Sequence, residues 1–427
     1  MMYLNDDYFS EQDFASAAVR FASMPVFQNC SHHRYAVCIP DTYLWLSLCL
    51  FLKREGSSVL PVHPDMPREA AEKLARKAGC HHLFYHSLEP IGLDGGKAPV
   101  PGGELYQMSS GTTGEPKCIA RSWQSIEREL ESYVSAFAEP SDMTPVIACP
   151  VTHSYGLIAG FLVALKRGQE PVVINNLNPK YILRRIKTVE KPLLYSSPAM
   201  LNTMAMMLPQ GNSIHAAMTS GTVLPAGWFT AIKAKVINLF QQYGCSEAGC
   251  IAVNPRVGQA ADIGYLLPHF SLVSPDAGGD TGEIVIRGEE GLIHTRDLGR
   301  LNPDGMMVFA SRLDDTINVA GLNVYPQDIE DVVMAMPGIE DAVVIRRSDR
   351  YAGERAALMF SSDNPVEIDD LRAWCQARLA GFQMPTVFEQ VSHIPRQANG
   401  KVSRREVAAL YDAGKLTYCQ SHKEVVL

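Results

Sequence analysis

The sequence predicts an α/β fold: a large N-terminal domain of helix-covered sheets that includes a β-rich subdomain, then a small α+β C-terminal domain. Three observations predict it. Between residues 36 and 75 strand-like and helix-like runs alternate; from residue 263 the texture changes to short strands with Gly and Asp turns; and after Arg312 a polar turn opens a tail with its own strands and helices. A chain of 427 residues is also too long for one ordinary core.

Taken in order, YAVCIP reads as a strand, TYLWLSLCLFLKREG as an apolar helix, SSVLPVH as a strand and PREAAEKLARKAG as a charged helix. Strand-like runs return at residues 145–151, 168–174, 192–196 and 236–243, with helical stretches between them, which is the pattern of a parallel sheet covered by helices. The β-rich part spans about residues 263–312 and includes GYLLPHFSLVSPDAGGDTGEIVIRG and GMMVFASR. The tail, residues 313–427, gives a strand and helix (TINVAGLNVYPQDIEDVVMAM), a strand (DAVVIRR), an amphipathic helix (IDDLRAWCQARLAG) and a last strand (TVFEQVSHI). The division is therefore 1–312 and 313–427.

Composition narrows the function. With 46% hydrophobic and 20% charged residues the chain reads as a folded globular protein. A formal net charge of −8 and the lack of any Lys/Arg run argue against a general nucleic-acid binder. Ten cysteines lie scattered without a CxxC pair, which reads as reduced structural thiols. The acidic start, MMYLNDDYFSEQDF, lacks a secretion signal's pattern, so the expected location is cytoplasmic. The longest apolar run, residues 44–52, is far short of the ~20 residues that span a bilayer, and is expected to be a buried helix.

The most informative string is SSGTTGEPK, residues 109–117, after the strand-like LYQM. Glycines let backbone N–H groups approach an anion, hydroxyls donate to its oxygens, and a lysine adds mobile positive charge, so the string is expected to cradle phosphate. It is not a kinase-type loop: Pro116 stands where that motif needs glycine before the lysine, and Cys118 where it needs Ser or Thr.

This string resembles the phosphate loop of the adenylate-forming superfamily: acyl- and aryl-CoA synthetases, adenylation domains of peptide synthetases, and luciferases. Further strings resemble that family's motifs in its order. They are QQYGCSE (241–247), with Ser246 where Thr is more usual; TRDL (295–298), with Arg296 in place of Gly; SRLDDTINVAGLNVYP (311–326), with Ser311 in place of Gly; and PRQANGKVSR (395–404). PVHPDMP (61–67) resembles an early family segment, and because only residues 1–108 precede the loop, the N-terminal subdomain is expected to be shortened.

The resemblance implies a two-step ligase that joins a carboxylate to AMP from ATP and passes the acyl group to a thiol. It implies that Ser109, Ser110, Gly111, Thr112, Thr113, Gly114 and Lys117 hold the β- and γ-phosphates and that Glu247 ligates Mg2+. Tyr243 and Gly244 would face the adenine, Ser246 the α-phosphate, and Gln241, Ser220, Gly221 and Thr222 the adenine and acyl-carboxylate region. Asp297 would accept from the ribose hydroxyls, with Arg312 at the ribose or phosphate. Lys401 would bridge the incoming carboxylate and the α-phosphate as charge grows in the transition state. Asp314 matches the hinge about which the small, mobile C-terminal domain pivots, and Gly321 the path of a pantetheine arm.

Amino-acid-activating relatives carry a carboxylate that pairs with the substrate ammonium; here residues 149–157 read CPVTHSYGL, with none. That string resembles the corresponding segment of acyl- and aryl-CoA synthetases, with His153 at the carboxylate pocket. An acyl pocket drawn from Tyr155, Gly156, Ser197, Met200, Met218 and Cys245 fits an aryl or medium-chain acid. The resemblance implies that the acceptor would be coenzyme A or the phosphopantetheine of an acyl carrier protein, and the protein is expected to be a monomer or homodimer. Two alternatives stand beside this one: amino-acid adenylation for a carrier protein, and a nucleotide-binding protein without catalysis.

Overall fold

The computed structural model describes residues 1–108, 117–221, 224–276, 279–319, 322–350, 352–397 and 400–417. The chain divides into two compact units, the first comprising Met1–Gly221, Lys235–Arg256 and Leu266–Ser271, and the second Thr222–Ala234, Val257–Tyr265 and Leu272–Leu427. Among the described residues no helix is long and apolar enough to cross a membrane.

The first unit holds two sheets. One has six strands in the order Pro90–Gly92, His82–Tyr85, Arg34–Cys38, Ser58–Pro61, Glu104–Met108 and Cys118–Ser122. Its middle strands are parallel, and Glu104–Met108 and Cys118–Ser122 form an antiparallel pair with Met108 opposite Cys118. The stretch between those two strands, residues 109–116, is where the sequence places the phosphate loop. The helix Thr42–Arg54 beside this sheet starts where the Asp41 carboxylate accepts from the Leu44 N–H. Its apolar run is buried, as the sequence predicts: Trp45, Leu46, Leu48 and Leu52 are at most 1% exposed.

The other sheet runs through Gly249–Asn254, Val236–Cys245, Ile214–Thr219, Pro192–Ser196, Thr144–Ile147, Val172–Val173 and Met2–Leu4 to Asp7–Phe9. Neighbours from Val236–Cys245 to Met2–Leu4 are all parallel, and the strand at each end is antiparallel. Two details differ from expectation. The run 168–174 contributes only Val172–Val173, which follows Pro171, a residue with no N–H to give a ladder; Gln169 ahead of it sends its side-chain amide to the carbonyls of Pro140 and Met143, at 2.9 and 2.8 Å. The acidic N-terminus, assigned no element from sequence, adds a strand to this sheet and buries Met2 completely.

The second unit also holds two sheets. Gly282–Gly288, Gly291–Leu301, Met307–Arg312 and Asp262–Leu266 pair antiparallel in that order, as the Gly and Asp turns predict. In the tail Leu322–Val324, Ile317–Val319, Gly353–Ser362 and Ile339–Asp349 are neighbours, and Val387–Gln390 pairs parallel with Gly353–Ser362. The helices Pro326–Met334 and Ile368–Gln376 cover it, with Ile329, Val333, Leu371 and Cys375 in one apolar cluster with Val344, Leu358 and Phe360. The nine cysteines among the described residues are unpaired with one another.

Candidate functional site

In an open parallel sheet, the carboxyl ends of the strands are the usual place for a ligand. Most of the sequence-predicted site residues of the first unit lie at that edge. Thr144–Ile147 leads to His153, Tyr155 and Gly156; Pro192–Ser196 to Ser197 and Met200; Ile214–Thr219 to Ser220 and Gly221; and Val236–Cys245 carries Gln241, Tyr243, Gly244 and Cys245 and leads to Ser246 and Glu247. Ser109, Ser110, Gly111, Thr112, Thr113, Gly114, Thr222 and Gly321 lie outside the described residues. Lys117 is exposed, one residue before the strand Cys118–Ser122.

The edge is braced from below. Tyr155, at the start of the π-helical segment Tyr155–Leu162, donates its hydroxyl to the Met218 carbonyl at 2.6 Å, and burial pushes its pKa well up. Tyr155 therefore stands as a neutral donor tying this loop to the strand Ile214–Thr219. Gly156 allows the loop to close: a Cβ there would lie 2.4 Å from the Pro150 carbonyl oxygen. Ser197 caps the helix Pro198–Met207 by accepting from the Met200 N–H. Met200 is half-buried and Met218 fully buried, while His153 is exposed. Thr219 is 1% exposed, and its hydroxyl oxygen has no hydrogen-bond partner among the described residues. Sequence reasoning passed over Thr219; its place one residue before Ser220 was the available signal.

Val236–Cys245 and Gly249–Asn254 pair antiparallel, with Gly244 opposite Cys250 and Cys245 opposite Gly249, so residues 246–248 form the tip of a tight hairpin. The strands approach so closely that a Cβ on Gly244 would lie 2.0 Å from the Gly249 carbonyl oxygen. Gln241 and Tyr243 are buried at 7% and 8% exposure, Cys245 and Ser246 are half-buried, and Glu247 is exposed. An exposed carboxylate on a tight turn is a hard oxygen ligand for a divalent cation that takes its other oxygens from water and phosphate.

The second unit gathers a separate set. Asp297 and Arg312 face each other on neighbouring antiparallel strands, with Arg312 Nη1 3.1 Å from Asp297 Oδ1. Asp297 is 4% exposed, and its N–H donates to the Thr295 hydroxyl. Lys401 is half-buried within reach of both charges: burial and then repulsion by Arg312 lower its pKa, against the pull of Asp297. The lysine follows a turn in which Gly400, at φ +80°, donates to the Gln397 carbonyl and Gln397 donates to that of Lys401. Two cations around one carboxylate leave a net positive charge, suited to an anion.

Arg404, from the same terminal motif, grips the buried Glu330 with two N–H groups at 2.7 and 3.1 Å. Arg296 adopts φ +63° where the resembled motif has glycine, and its guanidinium is ion-paired with Asp314. Nothing in the sequence marked that pair beyond the glycine-to-arginine departure itself.

The profile of the AMP-binding enzyme family matches residues 105–294, and that of the AMP-binding enzyme C-terminal domain matches residues 328–401. The chain is 36% identical over 420 residues to a 3,4-dihydroxybenzoate–[aryl-carrier protein] ligase of Bacillus anthracis, covering 98% of this chain and 100% of that one. It is 25% identical over 394 residues to a feruloyl-CoA synthase of an Amycolatopsis species, covering 83% and 79%. Its fold matches that of ATP-bound MatB from Rhodopseudomonas palustris with a TM-score of 0.81 at 20% identity, covering 96% and 95% of the two chains. The chain therefore belongs to the AMP-binding enzyme family and is an AMP-forming acid–thiol ligase, activating a carboxylate as its adenylate and transferring the acyl group to a thiol.

Proposed function

We propose that this ligase activates an aryl carboxylic acid and delivers it to the phosphopantetheine thiol of a carrier protein. One observation carries the reading: the similarity to the Bacillus anthracis ligase runs through the whole of both chains, and that protein's name gives an aryl acid and an aryl-carrier protein. The segment 149–157 agrees, since it offers no carboxylate to an α-ammonium and a buried unpaired ammonium is costly.

In this reading residues 109–114 and Lys117 hold the terminal phosphates of ATP. Glu247 would hold Mg2+, an exposed carboxylate being a hard oxygen ligand of the kind that cation takes. Gln241, Tyr243, Gly244, Ser246, Ser220, Gly221 and Thr222 receive the nucleotide and the carboxylate. His153, Tyr155, Gly156, Ser197, Met200, Met218 and Cys245 surround the acyl group. Asp297 accepts from the ribose, Arg312 steadies it, and Lys401 stabilises charge growing between carboxylate and α-phosphate. Residues 313–427 act as a domain pivoting at Asp314, with Gly321 beside the pantetheine arm.

The test is acid-dependent exchange of labelled pyrophosphate into ATP with benzoate, hydroxybenzoates, dihydroxybenzoates, medium-chain fatty acids and α-amino acids. The best acid is then offered with holo carrier protein or coenzyme A. Aryl acids are expected to drive exchange and the carrier thiol to be acylated. Exchange driven best by amino acids or fatty acids would overturn the substrate, and thioester formation on coenzyme A alone would overturn the acceptor.

A further inference from the structure

One buried ion pair in the first unit has no part in the roles above. Arg121, on the strand Cys118–Ser122, is 4% exposed, and Glu129, on the helix Trp123–Ala136, is 2% exposed. Arg121 Nη2 lies 2.6 Å from Glu129 Oε2, and Glu129 Oε1 accepts from the Cys250 N–H at 2.8 Å. The pair lies flush against Gly249: a Cβ there would sit 2.2 Å from Arg121 Nη1 and 2.4 Å from Glu129 Oε2. Gly249 itself has φ +77°, so two independent reasons keep a side chain out of this position.

Removing two charges from water is expensive, and a buried ion pair is weak evidence for stability by itself. Its location gives it another use. Gly249 and Cys250 are the residues opposite Cys245 and Gly244, at the base of the turn that holds Glu247. Arg121 is four residues beyond Lys117 on the strand that follows it. The pair thus joins three elements, that strand, the covering helix and the hairpin base, by contacts that leave Glu247 itself exposed.

We propose that Arg121 and Glu129 are positioning residues, a buried clamp that fixes the turn 246–248 so that Glu247 stands at a set place relative to the strand headed by Lys117. This rests on the assignment of Glu247 to magnesium. Groups that orient a metal ligand without touching the metal commonly change metal affinity by roughly 10- to 100-fold. The clamp is expected to act through the apparent affinity for Mg2+ rather than through the acid.

The experiment titrates Mg2+ in the pyrophosphate exchange assay at fixed ATP and acid and, independently of turnover, measures by calorimetry how much each variant's affinity for ATP rises when Mg2+ is added. Glu129→Gln keeps the shape and an acceptor for the Cys250 N–H but removes the charge. Gly249→Ala keeps both charges and pushes on them. Arg121→Lys keeps the charge with a single donor head, and it decides the matter where the other two do not fold, as read by near-ultraviolet circular dichroism. Folded variants are expected to need about 10-fold more Mg2+ for half-maximal exchange, with the KM for the acid unchanged and Arg121→Lys less affected than Glu129→Gln. Unchanged Mg2+ dependence in folded variants, or a fall in kcat alone, would overturn the clamp. Glu247→Gln is the separate control: if it leaves the Mg2+ dependence intact, the assignment of Glu247 fails, whereas a shift there without one in the clamp variants removes the clamp alone.

Discussion

In the first unit Glu247 stands exposed while the charges beneath its turn, Arg121 and Glu129, are 4% and 2% exposed. In the second unit the cation to which we assign a catalytic role is half-buried: Lys401 sits beside Arg312 and Asp297 with a lowered pKa. The first arrangement controls where the carboxylate stands. The second controls the charge state of the group as well, because desolvation and a neighbouring guanidinium both disfavour an ammonium. A metal ligand needs an accessible oxygen, whereas a group that stabilises growing charge gains from surroundings poorer in water.

Packing supports both regions, and removing it gives the largest expected effect. Phe161 in the first unit and Phe360 in the second are fully buried. Phe161→Ala and Phe360→Ala are each expected to cost about 3–5 kcal/mol, measured by urea unfolding. A cost below about 1 kcal/mol for either would show that its core contributes little to holding the site.

Asp297→Asn sharpens the second half of the comparison. It keeps one acceptor oxygen but removes the counter-charge between Arg312 and Lys401. Loss of one hydrogen bond to a charged group is worth about 1.5–3 kcal/mol, so kcat/KM for ATP is expected to fall by roughly 10- to 100-fold. An unchanged kcat/KM would remove Asp297 from the nucleotide site.

Two pH experiments separate the units. In the proposed role Lys401 acts as a cation, so activity is expected below its pKa and is lost as pH rises through it. With that pKa below the ordinary 10.5, the alkaline limb of the pyrophosphate exchange profile is expected earlier than for an exposed lysine. A limb at or above 10.5 would contradict the half-buried setting. In the first unit, burial and the charges of Arg121 and Arg128 push His269 down to about 4. The unfolded chain then binds the extra proton, so stability is present above the ordinary 6.5 and lost as pH falls from there toward 4. His81 and His82 are lowered also, each by burial first, and add to the same acid limb. His269→Gln is expected to flatten that limb in unfolding measurements at pH steps across the window, and an unaltered slope would exclude it.

The smallest effect is expected at Arg296. Its pairing with Asp314 is half-exposed, and such pairs are worth about 0–1 kcal/mol, while a left-handed backbone costs a residue with a Cβ roughly 1–2 kcal/mol. The backbone term wins, so Arg296→Gly is expected to leave the protein slightly more stable. A loss of more than about 1 kcal/mol would show that the ion pair outweighs the strain.

Much of this arrangement was legible in the sequence because it repeats in local patterns. The strand–helix alternation around residues 36–75, the apolar helix Thr42–Arg54 and the strand Pro192–Ser196 follow from hydrophobic periodicity. The Glu247 and Lys401 strings were legible as motifs. What escaped was set by tertiary context. Gly353–Ser362, with sequence GERAALMFSS, holds no β-branched residue and is a strand because neighbours flank it on both sides. The helix Arg404–Asp412 did carry a signal: Ser403 lies three residues before Glu406, and its side chain accepts the Glu406 N–H. Glu129 shares a helix with the buried Trp123, Ile126, Leu130 and Tyr133, and a carboxylate inside such an apolar stripe foretells a buried partner. Which cation answers it depends on strand order, and no local pattern contains that.

The comparison turns on Lys401 acting in the transition state rather than in ground-state binding. Single-turnover formation of the acyl-adenylate by Lys401→Ala, alongside direct measurement of ATP affinity, tests this most directly. Loss of one charge-stabilising donor is expected to slow adenylate formation by about 10²- to 10³-fold while ATP affinity changes little. A wild-type rate, or a loss wholly explained by weaker ATP binding, would contradict the account.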